Sequence, residues 1–143
     1  MNKKQPNNLK FPKSHKGGRL NPGIKLDKLN QGNYGLVANE PGIILSAHIL
    51  SVELAIKRVI KKEGVVYLRV FPHTPVTKKP SEVRMGKGKG SVNHYVAKVQ
   101  KGSIIMEIKT NVFTKALTAL AVGKSKLPLS TSIIQRSPVV SIA

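Results

Sequence analysis

Between Pro80 and Gly90 this sequence forbids regular secondary structure. Arg84-Met85-Gly86-Lys87-Gly88-Lys89-Gly90 places glycine at every second position, and neither a helix nor a strand persists at that glycine density. The fold must therefore be assembled from the segments on either side, with this stretch displayed as a loop. Its chemistry is as restricted as its conformation. With Cβ atoms missing at alternate residues, backbone N–H groups and lysine ammonium groups can come close to a phosphate backbone.

The rest of the chain agrees with that chemistry. Lysine and arginine number 25 against 6 aspartates and glutamates, a formal net charge of +19 over 143 residues. Like charges at that density repel one another until a polyanion neutralises them, so the expected partner is a nucleic acid. Hydrophobic residues make up 40% of the chain and fall into periodic segments, which a disordered polycation would lack. The charge is therefore carried on a folded scaffold of one domain.

Residues 1 to about 33 scatter Lys3, Lys4, Lys10, Lys13, Lys16, Arg19, Lys25 and Lys28 among Pro, Asn and Gly, which reads as an extended basic arm that orders on its partner. Residues 34–134 read as the folded domain and 135–143 as a loose tail. Tyr34 to Ala38 is a short strand, and Pro41-Gly42 marks a turn. Ile49, Val52, Ile56, Val59 and Ile60 recur at helical spacing, with Ser46 as the expected N-cap and Gly64 as the stop. Lys57, Arg58, Lys61 and Lys62 crowd the end of that helix, where they suit its negative pole. They are either RNA contacts or a solvated face.

Val65 to Phe71, V-V-Y-L-R-V-F, has strand composition and is ended by Pro72 and Pro75. Val92 to Val99 and Ser103 to Lys109 also read as strands, with Gln100-Lys101-Gly102 fitting a short hairpin connection. Asn111 is the expected cap of a second helix whose core stripe is Phe113, Ala116, Leu117, Leu120 and Ala121. Pro128 bars its continuation, and Leu129 to Ile134 alternates like a last strand. The class is α+β: a mixed or antiparallel sheet packed with two helices, preceded by the basic arm.

Several chemistries fail on spacing. The glycine-rich loop is no P-loop, which needs G-x-x-x-x-G-K-[S/T], and no dinucleotide fingerprint, because the segment after Ser91 is a strand rather than a helix. The acidic residues Asp27, Glu40, Glu53, Glu63, Glu82 and Glu107 form no pair spaced for metal binding or acid/base work. His15, His48, His73 and His94 lie far apart and suit hydrogen bonding to RNA or turn capping. No catalytic residue, metal, cofactor or small-molecule substrate is nominated. Tyr67, Phe71 and Tyr95 make no RNP-like aromatic pair, so binding by phosphate contact and shape is expected.

No cysteine is present, which removes disulfides and zinc ribbons and makes intracellular residence the default expectation. The start, M-N-K-K-Q-P-N-N-L-K-F-P-K, lacks both a secretory core and the Arg-rich pattern of an imported organellar precursor. No run of uncharged apolar residues would span a membrane. The chain is expected to work where it is made.

Particular runs resemble a known family. Val66 to Pro72 (V-x-L-R-V-F-P), Pro75 to Pro80 (P-V-T-K-K-P) and Arg84 to Gly90 stand in the order and spacing of the L-sixteen family of large-subunit ribosomal proteins. That family's archaeal and eukaryotic counterparts form the L-ten-e group. Phe11 to Gly17, Asn33-Tyr34-Gly35-Leu36 and Lys126-Leu127-Pro128 resemble further family segments, so the likeness runs from about Lys10 to about Thr131.

The resemblance implies a structural, non-enzymatic role in the large ribosomal subunit, beside its rRNA, the aminoacyl-site tRNA and neighbouring ribosomal proteins. It puts Arg84, Met85, Gly86, Lys87, Gly88, Lys89 and Gly90 at a tRNA-facing tip. Lys10, Lys13, His15, Lys16 and Arg19 become rRNA anchors, and Arg69, Lys78 and Lys79, inside the matching runs, join Lys57, Arg58, Lys61 and Lys62 as RNA contacts. Where family members carry a G-R-x-R-L-T-like segment before the first helix, this chain has Glu40-Pro41-Gly42-Ile43-Ile44-Leu45-Ser46 and few arginines. Lysines replace guanidinium forks only partly. That drift, with the lysine- and isoleucine-rich composition and the missing import signal, points to a mitochondrial ribosome and an organelle-encoded chain, with a bacterial cytoplasmic ribosome as the alternative. A stand-alone RNA-binding or RNA-chaperone protein is the competing function.

Overall fold

The computed structural model describes residues 6, 9–15 and 28–136. Seven strands and two helices follow in the order β1 (Tyr34–Ala38), β2 (Gly42–Leu45), α1 (Ser46–Ile60), β3 (Gly64–Leu68), β4 (Thr74–Lys78), β5 (Ser91–Val99), β6 (Ile104–Thr110), α2 (Phe113–Lys124) and β7 (Thr131–Gln135). The α+β class holds, with two sheets where the sequence was read as one. One sheet runs β3-β6-β1-β7 and the other β2-β5-β4, and every pairing is antiparallel. No helix among the described residues is long and apolar enough to cross a membrane.

The expected β5–β6 hairpin does not form. Both edges of β5 are occupied by β2 and β4, and both edges of β6 by β1 and β3. The short link instead carries the chain from one sheet to the other. Gly102, at φ +82°, donates its N–H to Ala38 O at 2.7 Å, and Ala38 N–H returns to Ser103 O at 3.0 Å. The linking turn is thus pinned to the end of β1. β6 is buried from Ile104 through Ile108 without alternation, as a strand covered on both faces requires.

β2 and β4 are strands that sequence reading did not find. Each is short and opens beside a proline or glycine signal that reads locally as a turn, and tertiary pairing with β5 overrides it. Conversely, β3 ends at Leu68, and only Arg69 N–H, bonded to Ile105 O at 3.1 Å, continues the ladder.

α1 buries Ile49, Val52, Ile56 and Ile60 of the stripe read from the sequence, while Val59 is half-buried against the core. Its caps differ from expectation. Leu45, still paired to Val96 in β2, is the N-cap residue, so Ser46 already lies inside the helix. The stop is Lys61, at φ +54°. Gly64 opens β3 instead, where a Cβ would lie 2.8 Å from Lys109 O, so its glycine serves close strand approach. In α2 the buried face is Ala116, Ala119, Leu120 and Gly123. Phe113 is about half exposed and tilts against Tyr34, with ring centroids 6.0 Å apart. Val112, not Asn111, caps this helix, and its N–H is bonded to Thr110 Oγ1 at 3.3 Å. The two helices pack on each other over one core that Leu36, Ile44, Met106 and Ile108 share with them.

Candidate nucleic-acid interface

The loop from Pro80 to Gly90 leaves β4 and returns into β5, and residues 81–89 are all exposed, with Met85 at 99%. Gly86, Lys87 and Gly88 take positive φ values of +97°, +54° and +94°. Nothing lies within 4 Å of a Cβ placed on Gly86 or Gly88, so those glycines answer a backbone requirement and leave the space around them open. Lys87 holds the same left-handed conformation at a cost of about 1 kcal/mol or more for a residue with a side chain. Gly90 differs: a Cβ there would sit 2.7 Å from Lys78 O, because the end of the loop passes directly over the end of β4.

Two contacts give the loop its shape. Lys79 Nζ donates to Gly86 O, folding the tip back on its base. Lys89 Nζ donates to Ser14 O at 2.6 Å, while Lys13 Nζ donates to Lys89 O at 3.1 Å. The arm and the loop, some 75 residues apart in sequence, therefore meet through reciprocal lysine–carbonyl bonds. These bonds bring Lys13, Lys79 and Lys89 together at the loop; Lys10 and His15 flank Lys13 in the arm segment, and Lys78, Arg84 and Lys87 lie in the loop or at its base. Lys10 Nζ lies 5.6 Å from the centroid of the exposed Phe11 ring. Lys16 and Arg19 lie outside the described residues.

The helix group lies at the C-terminal end of α1 and just beyond it. Lys57, Arg58, Lys61 and Lys62 are exposed, and Lys57 is paired with Glu53 at 2.7 Å, one helical turn back. Arg69 sits elsewhere again, at the edge where β3 ends. Its Nη1 is 3.3 Å from Glu107 Oε1, and the Glu107 side chain is fully buried.

In the sequence Glu107 is one of six sparse carboxylates, with no spacing that marks it. Its Oε2 accepts N–H bonds from Gln31 and Gly32 at 2.8 Å each and from Asn30 at 3.2 Å. A carboxylate buried in a strand needs such partners, since an uncompensated charge there is prohibitive. A Cβ on Gly32 would stand 2.8 Å from Glu107 Cβ, so glycine is what lets the chain close onto the carboxylate. The signal in the sequence was the charge inside I-I-M-E-I. The result is a fixed exit for the arm. Among the described residues no three of His, Asp and Glu come together as metal ligands.

A small two-sheet α+β scaffold that tethers a basic arm at Glu107 and joins it to an exposed glycine–lysine loop defines the chain as a basic protein with a cationic arm and loop. The sequence matches the family described as Ribosomal protein L16p/L10e over residues 6–134. It is 47% identical over 135 residues to the large ribosomal subunit protein uL16 of Cereibacter sphaeroides, covering 92% of this chain and 96% of that protein. The uL16 proteins of Blochmanniella pennsylvanica (45% over 133 residues, 92% and 98% covered) and Paracoccus denitrificans (44% over 135 residues, 92% and 96%) are similarly related. The chain belongs to the L16p/L10e family of ribosomal proteins, a family of structural proteins and not of enzymes.

Proposed function

We propose that this chain is a structural constituent of the large ribosomal subunit. It is held there by rRNA and neighbouring ribosomal proteins, with Arg84 to Gly90 directed at tRNA in the aminoacyl site. The observation that carries this reading is the junction of Lys13 and Lys89, which makes the arm and the loop one cationic element. Phosphate contacts of this kind position a protein on structured RNA and give little base readout. Family membership favours the ribosomal role over a stand-alone RNA chaperone, and sedimentation apart from ribosomes is the result that would reverse the choice.

Lys87→Ala removes a loop cation that makes no part of the arm junction. It is expected to slow aminoacyl-tRNA accommodation while leaving subunit assembly intact. Adding Lys89→Ala also removes the bond to Ser14 O while leaving the Lys13 bond to the Lys89 carbonyl, and the salt dependence of rRNA binding should then fall by roughly 1.4–1.8 in log–log slope if both lysines neutralise phosphates. Unchanged accommodation in both variants would remove the loop from the tRNA path.

The finer placement is a mitochondrial ribosome, with the chain encoded in the organelle. Its support is the lysine-dominated basic set and the Glu40 to Ser46 departure, which here forms β2. The bacterial relatives favour the second reading, a bacterial ribosome. Locating the reading frame on organellar or chromosomal DNA decides between the two.

A further inference from the structure

The chain crosses between its two sheets four times, and two of those crossings, from β3 to β4 and from β5 to β6, flank a cleft lined by Arg69, Phe71, His73, Lys98 and Ser103. Exposure alternates along the first crossing. Leu68, Val70 and Pro72 turn inward, while Arg69, Phe71 and His73 are exposed, which places a cation, an aromatic ring and an imidazole in succession on one face. Phe71 keeps 46% of its surface exposed, although burial of a ring that size would be favourable. Arg69 is oriented by Glu107 at 3.3 Å while its side chain stays 30% exposed. A guanidinium has five donors, so that contact leaves others for a ligand. His73 is fixed by its Nδ1 against Phe71 O at 3.2 Å. No carboxylate lines the cleft.

We propose that this cleft binds one unstacked nucleotide of single-stranded RNA, the base lying on Phe71 and the adjoining phosphates lying among Arg69, His73 and Lys98. The proposal rests on the reading that the partner is RNA. It adds to that reading a base-stacking site apart from the glycine–lysine loop. An aromatic face between cations is the arrangement single strands use, because every base offers a π-face and the backbone charge runs alongside it. A peptide ligand would gain less here, since the cleft opposes its cations with cations and offers no carboxylate to pair with them.

The chain contains no tryptophan, so Phe71→Trp places a single reporter in the cleft. Titrated at low salt with an oligoadenylate of about ten nucleotides, the full-length variant is expected to show saturable quenching of its fluorescence. Phe71→Ala is expected to weaken the same oligonucleotide by at least about fivefold, and Lys98→Gln to lower the salt slope by about 0.7. Quenching by polyglutamate or pyrophosphate equal to that by RNA would overturn the stacking site. Unaltered fluorescence in Phe71→Trp with unaltered affinity in Phe71→Ala would do the same, while wild-type binding to large-subunit rRNA left the ribosomal reading standing. Failure of the wild-type chain to bind rRNA at all would remove both.

Discussion

Replacing Glu107 with alanine is expected to destabilise the protein by about 3 kcal/mol, read as a shift in the urea midpoint at constant slope. The cost is concentrated in the backbone. Asn30, Gln31 and Gly32 each donate an N–H to this one carboxylate, and a buried donor stripped of its acceptor costs about 1–3 kcal/mol. Arg69 contributes less to the loss, because its guanidinium already reaches solvent and turns outward when its partner goes. Glu107→Gln keeps one carbonyl oxygen for the N–H groups but opposes them with an amide, so it should fall between wild type and alanine. A midpoint unchanged in Glu107→Ala would mean that the arm exit is held by something other than the carboxylate. Because the three donors belong to the end of the arm, the alanine variant should also bind rRNA more weakly at temperatures where it remains folded.

That junction also shows what local sequence could and could not reveal. The stripe Ile49, Val52, Ile56 and Ile60 in α1 was legible because helical burial repeats every three to four residues along one segment. The loop was legible because glycine at alternate positions is a local prohibition. Partition of the strands into two sheets was not legible. A three-residue link between β5 and β6 satisfies hairpin spacing, and only the prior occupation of both edges of each strand forbids the hairpin. β2 and β4 were hidden for the same reason, as strands defined by what they pair with. At the candidate interface, composition named the cations, but the encounter of Lys13 with Lys89 and of Gly32 with Glu107 depends on contacts across some 75 residues, for which neither segment carries a local mark.

Ile56→Ala is expected to cost toward the upper part of the 2–5 kcal/mol range seen for such truncations, because the cavity it opens has little to collapse into it. Ile56 is fully buried where α1 crosses α2, and the residue opposite is Gly123, whose hypothetical Cβ would lie 2.9 Å from Ile56 Cδ1 and 3.0 Å from Cγ1. The isoleucine occupies the volume that the glycine leaves open. The two positions should therefore be coupled, with a change of sign. Gly123→Ala alone crowds Ile56 and Val52, and that strain offsets most of the gain alanine brings to a helix end, leaving the variant near neutral or slightly destabilised. In the Ile56→Ala background the added methyl enters the vacated space without a clash and should recover about 1 kcal/mol. The complete cycle, measured by denaturant unfolding, yields an interaction energy well above the scatter of independent sites. If the single and double variants add instead, the helices meet through other side chains, and the core that holds Lys57 and Arg58 in place is not organised around this pair.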